Sequence, residues 1–173
     1  ILIFVDGYLF SSNRWYIKDK IPLSFEKDLL LFSSELELPK KDDWKMKKLI
    51  IDAANTNIFF MIVNKHNNYS ITHENTKVNF EKMIILINDF LKSKNLNIND
   101  VSIIYVNRGP GSFAGIRNSL STVKAMHLAM KIDYYCYSYQ DFQSDEKIKY
   151  ENIPNLCDKF GVKKNLINPI YIS

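Results

Sequence analysis

Asn107-Arg108-Gly109-Pro110-Gly111-Ser112-Phe113-Ala114-Gly115-Ile116-Arg117 holds three of the chain's 5 glycines. Before it, residues 101–106 form a short β-branched run that reads as a strand. After it, Ile116, Leu120, Val123, His127 and Met130 step by four, three, four and three, which marks one stripe of a helix over 115–130. A strand, a glycine turn and a helix N-terminus together make an anion site, because first-turn N–H groups have no helical partner. Gly109, Gly111 and Ser112 are the candidate donors. The spacing, however, is GxGxxxG rather than the GxGxxG of dinucleotide sites, and no Lys-Ser/Thr pair follows as in a P-loop. Spacing alone favours a tight packing turn, with Gly115 allowing close approach of the helix.

Outward from this turn, the pattern is that of an α/β lobe. Residues 49–51 read as a strand ending at Asp52-Ala53-Ala54-Asn55-Thr56-Asn57, and 58–63 resume as a second strand. Asn67-Asn68 signals a turn into a third strand at 69–72, which completes a meander. A helix follows over 79–94, with Phe80, Met83, Ile84, Ile87, Phe90 and Leu91 on one face. Beyond the glycine segment come a strand at 132–137, a short helix at 153–160 and a closing strand at 169–172. The order β-β-β-α-β-α-β implies a mixed sheet with helices packed on it, as in half of an actin-like or ribonuclease-H-like domain. Residues 1–45 stand apart: a strand-like run at 1–5, a turn at Asp6-Gly7, apolar groups at 25–31 and at Leu36 and Leu38, then a polar boundary at 40–45. The expected division is 1–45, 46–142 and 143–173.

Composition excludes several classes. Of 173 residues 46% are hydrophobic and 24% charged, the balance of a globular protein rather than a disordered one. The apolar runs at 83–87 and 29–32 are far too short to span a bilayer, so the chain is expected to be soluble with no membrane role. Net charge is +4, yet no block of Lys and Arg is present to neutralise many phosphates. Cys136 and Cys157 form no CxxC pair and are expected as buried free thiols in a reducing cytoplasm. No signal peptide is visible, and a chain opening on Ile1 is expected to lack its true start.

The string Gly109 to Arg117 closely resembles the GPGSFTGLR signature of the TsaB (YeaZ) family, whose members take part in synthesis of threonylcarbamoyladenosine on tRNA. Lys48 to Asp52 with Thr56 is similar to the family's opening strand and Asp-Thr turn, and Pro169-Ile170-Tyr171-Ile172 to its closing strand. The resemblance covers about 46–142 plus the tail. It implies an ASKHA-type lobe and a non-catalytic subunit that pairs with a TsaD-type catalytic subunit, with itself, or with a TsaE-type ATPase in the same assembly. It also implies that ATP and a metal belong to the partner, that this chain binds no cofactor, and that tRNA is met only indirectly. Residues 1–45 have no counterpart, the second lobe is reduced to about 143–162, and Ser173 replaces the usual Arg.

Residue chemistry points the same way. TsaD-type enzymes carry a HxxxH metal pair on the first long helix, where a four-residue step aligns both imidazoles. That helix has no histidine here; His66, His73 and His127 are scattered. The turn at 52–56 keeps Asp52 but lacks the glycine of an actin-like phosphate hairpin, leaving Asp52 as a turn carboxylate. Ser112 lies between Gly111 and Phe113, outside a GxSxG elbow. The motif residues are therefore Gly109, Pro110, Gly111, Ser112, Phe113, Gly115 and Arg117, with no catalytic or metal set. A partner face is expected from Phe80, Met83, Ile84, Ile87, Leu120, Val123 and His127, although the same stripe equally suits the core. Arg108 and Arg117 are candidates for pairing with an acidic partner. Two alternatives stay open: a small nucleotide-binding or ATPase module using the loop at 109–112, and a degenerate fragment.

Overall fold

A computed structural model describes residues 3–5, 8–11, 14–17, 47–64, 67–142 and 148–171. The chain divides into two compact units, Ile1–Lys40 and Lys41–Ser173. In the first, strands β1 (Ile3–Val5), β2 (Tyr8–Ser11) and β3 (Arg14–Ile17) form an antiparallel meander, with Phe10 opposite both Ile3 and Trp15. Only the first of these strands was expected. The turn at Asp6-Gly7 and the apolar groups at 25–38 lie outside the described residues.

The second unit carries the five-stranded sheet. Its strands are β4 (Lys47–Asp52), β5 (Asn57–Val63), β6 (Tyr69–Glu74), β7 (Val101–Asn107) and β8 (Asp133–Tyr137), in the order β6-β5-β4-β7-β8. The meander β4-β5-β6 is antiparallel, whereas β7 runs parallel to both β4 and β8. The parallel pairs follow from their connections, since the chain from β4 to β7 and from β7 to β8 passes through helices that return it to the same end of the sheet.

Strand alternation divides the apolar residues between two faces. Leu49, Ile51, Ile58, Phe60, Ile62, Ile104, Val106, Tyr134 and Cys136 belong to one core, with the long helices. Ile50, Met61, Tyr105 and Tyr137 belong to the other, with Phe142, Ile153, Leu156 and Cys157. The register of β4 against β7 slips between Lys47 and Lys48, whose partners are Val101 and Ile103. One extra residue there lets Val101 and Ile104 face the same core despite their odd spacing.

The helix expected over 79–94 is two pieces, α1 (Lys77–Glu81) and α2 (Met83–Ser93), separated at Lys82, whose φ and ψ are -99° and 13°. Thr76 caps the first piece by accepting the Asn79 N–H at 3.2 Å. Helix α3 (Phe113–Met130) begins two residues earlier than its stripe suggested, because Ser112 is its cap: the Oγ accepts the Gly115 N–H at 3.2 Å. A shorter helix, α4 (Ile153–Lys159), carries Ile153, Leu156 and Cys157 into the second core. Residues 148–162 thus cover the sheet face opposite α1–α3. The closing strand expected at 169–172 is absent from the described tail. Ile170 instead makes one N–H bond of 2.8 Å to the Arg108 carbonyl, and Ile172 and Ser173 lie outside the described residues.

Candidate functional site

The glycine loop lies at the C-terminal ends of the parallel strands, where α/β sheets commonly take ligands. Of its three candidate donors, Gly109 and Ser112 are engaged by the protein itself. Gly109 N–H donates to Asn107 Oδ1 at 2.9 Å, Ser112 N–H to the Ala54 carbonyl at 2.8 Å, and Gly115 N–H to Ser112 Oγ. Space is engaged too. A methyl group at Gly111 would overlap the Ala54 carbonyl oxygen, one at Gly115 the Ala53 carbonyl oxygen, and one at Gly109 the Ile170 carbonyl oxygen. Gly109 also has φ of 101°, a region that L side chains rarely adopt, and it precedes Pro110 through a cis bond. Gly111 and Gly115 let the start of α3 press against the β4–β5 turn, and Gly109 lets the tail press against the loop.

Asp52, at the end of central strand β4, is fully buried. Its Oδ1 accepts the Ala54 N–H at 3.1 Å. Its Oδ2 accepts Asn55 Nδ2 at 2.8 Å and the hydroxyls of Tyr139 and Tyr150, each at 2.9 Å. Four donors replace the water that a buried carboxylate loses, and no cation is paired with it among the described residues. Burial, reinforced by the Asp52 charge, pushes the Tyr139 phenol well above its ordinary range. Tyr150 is pushed up to about 12, mainly by burial, and stacks on Phe59 at 4.1 Å. Asp52 is a turn carboxylate, as its setting suggested. The two tyrosines could not be anticipated, because they lie 87 and 98 residues away in sequence.

Arg108 is committed within the lobe. It pairs with Asp141, which also accepts the Ser138 N–H at 2.7 Å, and its Nη1 donates to the Asn168 carbonyl at 3.1 Å. Arg117 is exposed and no described residue pairs with it. Phe113 is exposed and touches Tyr171, their ring centroids 4.8 Å apart.

The helical layer corrects the expected partner face. Phe80, Met83, Ile87, Leu120 and Val123 are buried against the sheet, so the stripe they define is core rather than surface. His127 is half-buried, with Nδ1 2.9 Å from the Ile132 carbonyl and its ring edge-on to Tyr134. Of the seven, Ile84 alone is exposed, at 49%. Ile85 (52%), Val78 (54%) and Met130 (41%) join it; Ile85 and Val78 lie off the expected stripes, and Met130 is the last member of the second stripe, outside the seven. Ile84, Ile85 and Met130 line an apolar groove of about 320 Å³ between α2 and α3, together with Ile98 and the buried Ile87, Leu91 and Met126. A helix period sorts a residue to a side of the helix. It cannot say where a wide apolar stripe passes from the sheet contact to the open edge.

The thiols are buried on opposite sides of the sheet, Cys136 in the core under the long helices and Cys157 on α4 in the second core. Burial pushes each up to about 12, the range of an unreactive thiol. Lys77 to Ser93 contains no histidine, and no group of three or more His, Cys, Asp or Glu side chains suited to a metal occurs among the described residues. No helix among them is long and apolar enough to cross a membrane.

Comparison with known proteins meets this geometry. A family profile described as "TsaD: tRNA N6-adenosine threonylcarbamoyltransferase" matches residues 74–138, the segment from the end of β6 to β8. The curated tRNA threonylcarbamoyladenosine biosynthesis protein TsaB of Buchnera aphidicola subsp. Baizongia pistaciae is 28% identical over 74 residues, covering 38% of this chain and 34% of that protein. The lobe is TsaB-like. YeaZ from Pseudomonas aeruginosa superposes with a TM-score of 0.50 at 18% identity, over 54% of this chain and 44% of that one. A second Pseudomonas aeruginosa structure, described as similar to peptidase YEAZ, matches equally, at 0.50 and 18%, over 54% and 43%. These superpositions bear out the actin-like/ribonuclease-H-like lobe expected from the element order. The TsaB-like chain spans less than half the length of these relatives.

Proposed function

We propose that this chain is a TsaB-like accessory subunit that docks through its helical layer onto a TsaD-type subunit and supports synthesis of threonylcarbamoyladenosine on tRNA. The observation that carries this reading is the open apolar groove between α2 and α3, lined by Ile84, Ile85 and Met130. Contiguous apolar surface on a folded lobe is stabilised by being covered, and a partner helix seated between α2 and α3 removes it from water. The segment matched by the TsaD profile contains these helices, which supports a partner of related fold. The inward bonds of Gly109, Ser112 and Gly115 and the donors gathered on Asp52 support a scaffold without chemistry of its own. ATP and a metal are assigned to the partner, and a TsaE-type ATPase to the same assembly.

Co-purification with the TsaD-type protein of the same genome tests the reading. The expected result is a stable complex with the unmodified chain and its loss with Ile85→Asp, which retains the fold. A folded chain that forms no complex with a folded partner overturns it. Mass measurement of the chain alone reports whether a second copy occupies the groove when the partner is absent.

A further inference from the structure

Helix α3 has a second face that docking through the groove leaves open. Between Phe113 and Lys131 the sequence contains no Asp or Glu. Its cations Arg117 and Lys124 lie seven residues apart on one side of the helix, and Lys131, the left-handed C-cap, continues the same step at its end, about 21 Å from Arg117 along the axis. Nine residues, about two and a half turns, separate Arg117 from Met126, so this side is opposite the groove. Arg117 and Lys131 are exposed, and Lys124 is half-buried with its Nζ 5.9 Å from the Tyr134 ring centroid. The carboxylate of Asp133 is paired with Lys164 at 3.0 Å and accepts a hydrogen bond from Asn165 Nδ2 at 2.7 Å, and none of the ion pairs among the described residues involves the stripe's cations.

Aromatic and apolar side chains share this side. Phe113 lies one turn before Arg117 with 58% of its surface exposed, its ring against that of Tyr171, itself 43% exposed. Leu128, 61% exposed, lies between Lys124 and Lys131. Cations at intervals beside exposed aromatic rings are the chemistry that holds single-stranded nucleic acid, phosphates on the cations and bases on the rings.

We propose that this face of α3 is an RNA-binding surface, contacting single-stranded RNA directly through Arg117, Lys124 and Lys131 with Phe113 and Tyr171 as a stacking platform. The choice of RNA rests on the function proposed above; the charge and aromatic pattern stands without it. A chain that only supports its partner has no use for a cationic aromatic face turned away from that partner. A chain that also steadies the RNA substrate does.

Fluorescence anisotropy of a labelled single-stranded RNA, titrated with the full chain alone over a salt series, tests this. Because the partner is absent, failure here is separable from failure to dock. Three phosphate contacts give a log–log salt slope of about -2, so affinity falls roughly 16-fold between 50 and 200 mM salt. Replacing Arg117, Lys124 and Lys131 by Ala is expected to bring the slope near zero. Phe113→Ala is expected to weaken binding roughly tenfold or more at an unchanged slope. The same number of cations removed elsewhere, at Lys77, Lys82 and Lys92, controls for net charge and is expected to leave the slope unchanged. Thermal melts confirm that every variant is folded. Absence of binding at low salt overturns the proposal, as does equal weakening by both triple variants. Equal affinity for single-stranded DNA overturns the assignment to RNA, and binding of an acidic peptide in place of RNA transfers the face to a protein ligand.

Discussion

Gly115→Ala separates a packing loop from a ligand cradle by the sign of its effect. In an ordinary helix interior the change stabilises by about 1 kcal/mol, because alanine loses less backbone freedom on folding. Gly115 lies in the first turn of α3 with ordinary helical geometry, so that gain is available to it. Its missing Cβ, however, is where the Ala53 carbonyl oxygen sits, and that oxygen is backbone at the end of the central strand. Relief requires moving α3 off the β4–β5 turn, which breaks the 2.8 Å bond from Ser112 N–H to the Ala54 carbonyl. Overpacking of this kind costs about 1–3 kcal/mol, and the lost bond about 1 more. The net expectation is destabilisation of about 1–3 kcal/mol, read as a lower urea midpoint at unchanged m-value. A variant as stable as the original, or more so, would falsify the packing account and return the loop to the list of possible ligand cradles.

The docking groove predicts a contrast between neighbours on α2. Ile85→Asp, at an exposed position, is expected to abolish partner binding with stability within about 0.5 kcal/mol, whereas Ile87→Ala, at a position 1% exposed, is expected to cost about 2–5 kcal/mol in chemical denaturation. Tyr139→Phe removes one donor from a buried carboxylate and is expected to cost about 1.5–3 kcal/mol; Tyr150→Phe in addition is expected to cost less than a second full increment, since water then reaches Asp52. The phenols and thiols raised by burial make the fold sensitive to alkali. Cys136, Cys157 and Tyr150 sit above their unfolded values, so their contribution is complete below those values and disappears as pH rises through the folded ones. Thermal melts are expected to hold steady up to about pH 9 and to fall toward pH 12; a melting temperature flat across that window sinks the burial assignment.

The local pattern determined a good deal. The runs at 58–63 and 132–137 became strands within a residue at either end, because the sheet is covered on both faces and successive apolar side chains each meet a core. The stripe from Ile116 to Val123 became α3 because side chains three and four apart share a helix face, and the nine-residue string from Gly109 to Arg117 carries the resemblance to TsaB. Other features were beyond local reading. The pairing of Tyr139 and Tyr150 with Asp52 joins segments far apart in the chain, and no local spacing encodes such convergence. The closing segment at 169–171 has the composition of a strand but only one of its bonds, because Arg108 and Asn168 fix it beside the glycine loop. The sequence by itself specified which residues are apolar and on which side of each element they lie. Tertiary structure alone decided that Ile87 is sealed while Ile84 and Ile85 face water, since solvent exposure depends on how far a neighbouring element reaches, a quantity set by packing across the sheet.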